Sequence, residues 1–406
     1  MSQTQRTILM LYAAVIAIWP LRSLILAIIG RTLPRLTSDS PKAIGPDLPF
    51  VTALIPAKDE EAALAECLDS VRAQTYPNLE ILVVDDRSSD GTGDIARAAA
   101  AEDPRVRLLS IEELPPGWTG KTHALHKAAA MAQGEWLWFL DADTRHSPDN
   151  LRIVLNYALR EKADLVSLLA DLRCESFWEQ VVQPVAAVVL MQSYPLFRVN
   201  NNRDRLAFAN GQYILIRRDA YDAAGGHAGV RERFVEDIAI AQRVKALGHS
   251  IRVALATGIG STRMYTSLPQ IVRGWSRILY DANNRNPWKL LLGVLDPLIF
   301  SQSGQLAFIV ALGMLLFGVS TPFATALLGL SLLHFLLNWE VMRRVYRMSD
   351  PASRHAHYFP FGNLVVQWSL VRAISMCLTG RVVWRGTSYV RPVAPKRSRR
   401  ATVTRV

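Results

Sequence analysis

The stretch from Pro297 to Trp339 contains no Asp, Glu, Lys or Arg. One helix needs about 20 apolar residues to cross a bilayer, and this stretch is roughly twice that long. Ser320-Thr321-Pro322 interrupts it with turn-forming residues. The pattern predicts a hairpin of two membrane helices, residues 298–319 and 323–342. Arg343, Arg344, Arg347 and Arg354 follow, which puts the next loop on the cytoplasmic side by the positive-inside rule. A second apolar run, Ile8 to Ile29, is also long enough to cross. Pro20 and Arg22 interrupt it, so a tilted or partly interfacial helix competes with a straight crossing. A cleaved signal peptide is the other reading, but no small-residue cleavage site follows. Arg31, Arg35 and Lys42 follow this run while only Arg6 precedes it, so the body of the chain is expected in the cytoplasm. A third apolar stretch, residues 361–380, contains Arg372 and either crosses the bilayer or lies along its surface.

Charge is distributed just as unevenly. The formal net charge is +11, yet ten basic residues and no acidic one lie beyond Asp350. The rest of the chain is nearly neutral. A basic tail beside apolar helices suits anionic lipid. It does not suit nucleic acid, because no aromatic-basic motif or zinc-finger spacing accompanies it. Cys67, Cys174 and Cys377 are odd in number and widely spaced, without metal-ligand spacing, and read as reduced thiols.

Between the apolar flanks the pattern changes. Residues 36–50 are rich in Ser, Pro, Gly and Asp and read as a linker. From Val51, the short apolar runs VTALIP, LEILVV, VRLLS, EWLWFL and DLVSLL read as strands. Helix-like stretches such as Glu60–Gln74 and Lys121–Gln133 alternate with them. This alternation predicts an α/β domain with a mostly parallel sheet covered by helices on both faces. The expected organisation is a membrane helix over 1–30, a linker over 31–50 and a cytoplasmic catalytic domain over 51–290. A membrane hairpin (291–345), a basic loop with a membrane or interfacial helix (346–385) and a basic cytoplasmic tail (386–406) complete it.

Ligands of an open parallel sheet bind beyond the C-terminal ends of its strands. Here those ends are acidic: Pro56-Ala57-Lys58-Asp59-Glu60-Glu61, Asp85-Asp86-Arg87-Ser88-Ser89-Asp90, and Asp141-Ala142-Asp143. Carboxylates gathered in one place repel each other unless a cation or a donor-rich ligand sits among them. Two carboxylates one residue apart after a buried strand suit Mg²⁺ or Mn²⁺ carrying a diphosphate. A solvated acidic surface is the plain alternative. For Asp85 and Asp86 the alternative is turn formation before a helix. Lys121, in Gly120-Lys121-Thr122, begins a helix, where an ammonium and unpaired amides suit a diphosphate. Glu236 and Asp237 open another helix, where acid is ordinary dipole complementarity.

The ordered set PAKDEE, VVDDRSSDGT, GK, DAD, NGQYILIRRDAYDAAGG and FVEDIAIAQRVKALG resembles the family 2 glycosyltransferases of the nucleotide-diphospho-sugar transferase (GT-A) fold. PPGWTGK, the Arg263-Met264-Tyr265 and Gly274-Trp275 segments, and Trp384-Arg385-Gly386 look like a membrane-bound subset similar to hopene-associated and carotenoid glycosyltransferases. The resemblance implies an inverting hexosyl transfer from a nucleotide-sugar, a UDP-sugar by family habit, to a lipid-like or membrane-associated hydroxyl. It implies Asp237 as general base and Asp143 as a metal ligand, with Asp141 near the metal, ribose and diphosphate. It implies Pro56, Ala57, Glu60, Asp85, Asp86 and Lys121 as donor-binding residues, with Asn210 and Gly211 near the donor sugar or acceptor. The implied setting is the inner membrane, with several crossings and a cytoplasmic catalytic domain.

Two departures matter. Lys58-Asp59 stands where related enzymes often have Arg-Asn. Gln270-Ile271-Val272-Arg273-Gly274-Trp275 departs, by the intervening Gly274, from the Gln-x-x-Arg-Trp motif of processive synthases. A processive polysaccharide synthase and a catalytically silent membrane scaffold are the alternative functions. The short hairpin disfavours the first, and the presence of Asp143 and Asp237 the second.

Overall fold

A computed structural model describes residues 1–319, 321–347, 352–384 and 387–390. Ser320 of the expected turn, Arg385 and Gly386, and the basic tail beyond Val390 lie outside the described residues. Eleven strands are present among the described residues. These are β1 (Arg35–Leu36), β2 (Val51–Ala57), β3 (Leu79–Asp86), β4 (Val106–Ile111), β5 (Trp136–Leu140), β6 (Thr144–His146), β7 (Leu165–Leu172), β8 (Tyr213–Arg217), β9 (Ile251–Thr262), β10 (Arg381–Trp384) and β11 (Thr387–Val390).

The first nine strands form one sheet in the order β1-β9-β7-β8-β5-β2-β3-β4, with β6 added to β9. The half β5-β2-β3-β4 is parallel throughout. Its inner strands β2 and β5 are apolar along nearly their whole length and almost fully buried, as a sheet covered on both faces requires. Helices Leu64–Arg72, Thr92–Glu102, Gly120–Met131 and Asn150–Arg160 connect and cover these strands.

Strand β8 runs antiparallel to both of its neighbours, β5 and β7. It lies within NGQYILIRR, which the sequence marks as a motif rather than a strand. The two strands register Leu140 opposite Tyr213, so the start of β8 lies beside the end of β5. This reversal carries Asn210 and Gly211 to the same sheet edge as Asp141. The expectation of an α/β domain with a mostly parallel sheet holds, with this one reversal near its centre.

The apolar flanks are helical. The N-terminal run consists of two helices, Gln3–Ile16 and Ile18–Thr32, joined at Ala17 just ahead of Pro20. Arg22 is not left bare in apolar surroundings. Its guanidinium meets Asp296 at 2.6 Å and lies over the Trp19 and Phe300 rings. The hairpin comprises Pro287–Pro297 and Ser303–Leu316, joined by a π-helical turn at Leu298–Gln302, and a long return helix, Thr321–Arg347. A further helix spans Phe359–Thr379. Four helical segments, Gln3–Thr32, Pro287–Leu316, Thr321–Arg347 and Arg354–Thr379, are long and apolar enough to cross a membrane. Leu24, Ile28, Leu306, Ile309 and Leu316 point outward, an exposed apolar surface of the kind that marks contact with a membrane or another protein.

One helix joins the two parts. Leu268–Ala282 buries Ile271, Trp275 and Leu279 against the flanking helices. At its end Asp281 is fully buried. One of its oxygens accepts the amides of Phe234 at 2.8 Å and Val235 at 3.0 Å, and Arg233 and Arg285 approach at 3.2 and 3.0 Å. Burial alone would raise the Asp281 carboxyl, but the two guanidinium groups and the amides outweigh it and hold it below the usual carboxylate range. Asp281 therefore fixes the segment leading into Glu236 and Asp237. Removing one member of such a buried cluster strands the remaining charges. Asp281→Ala is expected to cost about 3–5 kcal/mol, read as a lowered midpoint of thermal unfolding in detergent. An unchanged midpoint would show that the cluster does not hold this segment.

Candidate active site

The carboxyl ends of β2, β3 and β5 and the N-terminal turns of two helices converge on one cavity of about 2430 Å³. Pro56, Ala57 and Glu60 line it from β2, Asp86 and Arg87 from β3, and Asp141 and Asp143 from β5. Lys121 enters from the first turn of Gly120–Met131, whose N-cap Thr119 accepts the Thr122 amide. Asn210 and Gly211 enter just ahead of β8, and Glu236 and Asp237 from the first turn of Glu236–Ala246. Of the candidate residues read from sequence, only Asp85 is not on this wall. It accepts the Ser88 amide at 3.1 Å, in the turn after β3.

Lys121 is the centre of the site. Its ammonium lies 2.6 Å from Asp141 and 2.7 Å from Glu236. Burial on its own would lower the Lys121 pKa. Asp141, Glu236 and Asp237 outweigh that and hold it above its ordinary value, so the group stays charged. Asp237 is the opposite case. Burial, and then the neighbouring Glu236, push its carboxyl up to about 7, while Lys121 and two amides pull the other way. Those amides belong to Ile238, at 2.7 Å from one oxygen, and Gly211, at 2.6 Å from the other. A carboxylate has about four acceptor positions, so two remain for an incoming hydroxyl. A side chain at Gly211 would crowd this contact. A Cβ there would come within 3.1 Å of both the Asp237 oxygen and the Lys121 nitrogen.

Asp86 is almost fully buried and is gripped by both ends of its neighbour, Arg87 Nε at 2.8 Å and a terminal nitrogen at 3.1 Å. Lys58 and Asp59 bind the same loop. The Lys58 ammonium donates to the carbonyls of Asp86 and Arg87 at 3.2 and 2.9 Å. Asp59 accepts the Ser89 amide at 2.8 Å. The two residues that depart from the usual pattern thus tie the β2 and β3 loops together.

Asp141 and Asp143 supply hard oxygen donors on the cavity wall. Among the described residues no group of three or more His, Cys, Asp or Glu side chains is arranged as a ready metal site. Two carboxylates nonetheless match a Mg²⁺ or Mn²⁺ ion that keeps its waters and takes its other ligands from phosphate. Lys121 pairs with Asp141 and Glu236, and Arg87 with Asp86. The residues present fit a divalent cation.

Three contributors escape the sequence reading. Glu236 was visible only as half of an acidic pair at a helix start. Arg87 lay inside the DDRSS turn. Tyr265, from the Arg263-Met264-Tyr265 segment, lies in the cavity wall. Its ring rests on Gly274, where a Cβ would come 2.1 Å from the phenol carbon. The glycine that breaks the processive motif is the space this ring occupies.

Residues 52–225 match the family described as glycosyl transferase family 2. They form a family 2 glycosyltransferase domain. The glycosyltransferase domain has curated relatives. Over 193 residues the chain is 31% identical to a beta-monoglucosyldiacylglycerol synthase of Nostoc sp. (strain PCC 7120), covering 46% of this chain and 39% of that protein. It is 24% identical to the 4,4'-diaponeurosporenoate glycosyltransferase of Staphylococcus haemolyticus, covering 64% of this chain and 69% of that one. The chain spans about two fifths of the length of the beta-monoglucosyldiacylglycerol synthases it matches. In fold it is similar to the mannosyltransferase PcManGT from Pyrobaculum calidifontis, solved with GDP-Man and Mn²⁺. The TM-score is 0.51 at 19% identity, over 91% of this chain and 98% of that chain. The GT-A fold implied by the motifs is the fold of this domain.

Lys121→Met leaves Asp141, Glu236 and Asp237 facing each other without their cation. The Asp237 pKa is then expected to rise above its value in the native chain, since Lys121 is one of the groups lowering it. Stability should fall by about 3–5 kcal/mol. Thermal unfolding in detergent at pH 8 checks this, and an unchanged midpoint would remove Lys121 from the centre of the site.

Proposed function

We propose that the chain transfers a sugar from a nucleotide-diphospho-sugar to a hydroxyl of a lipid-type acceptor, inverting the anomeric carbon in a single displacement. The observation that carries this reading is the continuity of one cavity. Its polar end holds Lys121, Asp143 and Asp237. Its walls continue along Val188 and Ile278, on the helices Phe177–Ser193 and Leu268–Ala282, and along Ile25, Ile29, Val341 and Met342 of the apolar flanking helices. A water-soluble acceptor needs no such walls. The names of the relatives, a glucosyldiacylglycerol synthase and a carotenoid-acid glycosyltransferase, agree with an apolar acceptor.

In the proposed reaction the acceptor oxygen attacks the anomeric carbon from the face opposite the diphosphate. The new C–O bond forms as the bond to the diphosphate oxygen breaks. Asp237 takes the hydroxyl proton on one of its two remaining acceptor positions. Positioned base catalysis of this kind contributes roughly 10²–10⁴-fold. Gly211 and Ile238 hold the carboxylate in place through their amides. Lys121 keeps a fixed positive charge beside the leaving diphosphate without reorganising, which is where preorganised charge is most effective. Asp143 and Asp141 would hold a divalent cation, which would neutralise charge developing on the leaving group. PcManGT, of the same fold, was solved with Mn²⁺, which supports a cation of this class.

The orientation that fits this reading places the catalytic domain on the cytoplasmic side of the inner membrane. One crossing precedes the domain and a hairpin follows it. The helix Phe359–Thr379 meets the domain at both ends. Gly362 packs on the Val181 carbonyl, and beyond Gly380 the strand pair β10-β11 brings Tyr389 onto Phe234. That supports an in-plane helix.

Asp237→Asn is expected to lower kcat by roughly 10²–10⁴-fold while leaving donor affinity nearly unchanged. A fully active Asn variant would remove Asp237 as the base. Because the base works ionised and its pKa lies near 7, kcat/KM should be level above that pH. Below it, activity should fall roughly tenfold per unit. A profile flat down to pH 5 contradicts the assignment. Asp143→Ala should weaken donor binding in the presence of Mn²⁺ and leave metal-free binding alone, as read by calorimetry. Equal Mn²⁺ dependence in the variant would clear Asp143 of that role.

A further inference from the structure

The chain ends its described portion in a strand pair that returns to the polar end of the cavity. After the helix Phe359–Thr379, Gly380 takes a left-handed conformation (φ 65°) and turns the backbone into β10. Four registered pairs, from Arg381 opposite Val390 to Trp384 opposite Thr387, fix β11 against it. Tyr389 on β11 is thereby brought onto the cavity wall with Lys121, Asp86 and Arg87. Its ring packs edge-on against Phe234, with centroids 5.1 Å apart. Phe234 is held by Asp281 and lies three residues before Asp237. The Gly120 amide, next to Lys121, donates to the Tyr389 hydroxyl at 3.4 Å.

That hydrogen bond fixes the role of the phenol. The amide occupies the oxygen as acceptor, which leaves the hydroxyl proton to be donated. Among the described residues no protein group takes it. The carboxylate beside it, Asp86, is held through both oxygens by the Arg87 guanidinium, so an acceptor from outside the protein completes the phenol, and an anionic one suits the Arg87 and Lys121 charges on the same wall. We propose that Tyr389 is a donor-binding residue that hydrogen-bonds a phosphate oxygen of the nucleotide-diphospho-sugar, so that the C-terminal strand pair is part of the donor site. This rests on the proposed glycosyl transfer. It extends the site beyond residues 52–225 to a segment more than 150 residues further along the chain.

The test uses the full-length chain in detergent or nanodiscs. Binding of the nucleoside diphosphates UDP and GDP, and of the matching monophosphates, is measured by calorimetry with Mn²⁺. The variants are Tyr389→Phe, which keeps the ring on Phe234 and removes only the hydroxyl, and Tyr389→Ala. Loss of one hydrogen bond to a charged phosphate corresponds to roughly tenfold in affinity. Tyr389→Phe should bind the preferred diphosphate roughly tenfold more weakly and the monophosphate nearly as well as wild type. With the matching sugar donor, KM should rise while kcat changes little. Tyr389→Ala should be weaker still. Unchanged or tighter diphosphate binding by Tyr389→Phe overturns the inference. A wild-type chain that binds no nucleoside diphosphate at all would instead sink the glycosyl-transfer reading on which it rests, and the inference with it. If Tyr389→Ala unfolds, the Tyr389→Phe comparison still decides.

Discussion

A single buried ammonium holds the site together. Lys121 is reached from two directions, by Asp141 at the end of β5 and by Glu236 at the start of a helix almost a hundred residues later. Without it the three carboxylates Asp141, Glu236 and Asp237 would share a partly dehydrated space, and like charges in low dielectric repel strongly. With it, Asp141 and Glu236 share one positive charge, and the carboxyl of Asp237 is pushed up to about 7 by burial and by Glu236. The same contact thus closes the tertiary structure and separates the roles of neighbouring acids.

The sheet supplies the geometry. Parallel strands bring their carboxyl ends to one edge, and the reversed strand β8 delivers Gly211 to that edge from the opposite direction. A domain of this kind leaves its ligand site open on one side. Here that side is occupied by the amphipathic helix Leu268–Ala282 and the apolar flanks, so the cavity runs from charged walls to hydrocarbon-like ones. Asp281, at the end of that helix, fixes the segment before Asp237. The element contacting the flanking helices therefore also sets the position of Asp237, the proposed base.

Much of this was legible in the sequence, for physical reasons. Strands β2, β3 and β5 are buried on both faces and so read as continuous apolar runs. Their acidic ends stood out because carboxylates rarely follow such runs by chance. The charge-free stretch from Pro297 announced its helices by length alone. The rest was not legible because it depends on tertiary encounters. Strand β8 is short, and its direction is set by its neighbours rather than by its own residues. Asp85 and Asp86 are adjacent and chemically alike, and only the pleat of the strand sends one to the turn and the other to the cavity. Glu236 looked like ordinary helix-start acid until Lys121 was seen to face it. Tyr265 and Gly274 are nine residues apart, and nothing local says that one fills the space left by the other.

The account stands or falls on whether the cavity joins a charged donor to an apolar acceptor. The direct measurement reconstitutes the purified chain in liposomes of bacterial lipid with a panel of radiolabelled nucleotide-sugars and Mn²⁺, then partitions the products between chloroform and water. The expected result is label from one donor in the chloroform phase, on a lipid bearing a single added sugar by mass spectrometry. Label appearing only in a water-soluble polymer, or no transfer from any donor, would contradict it.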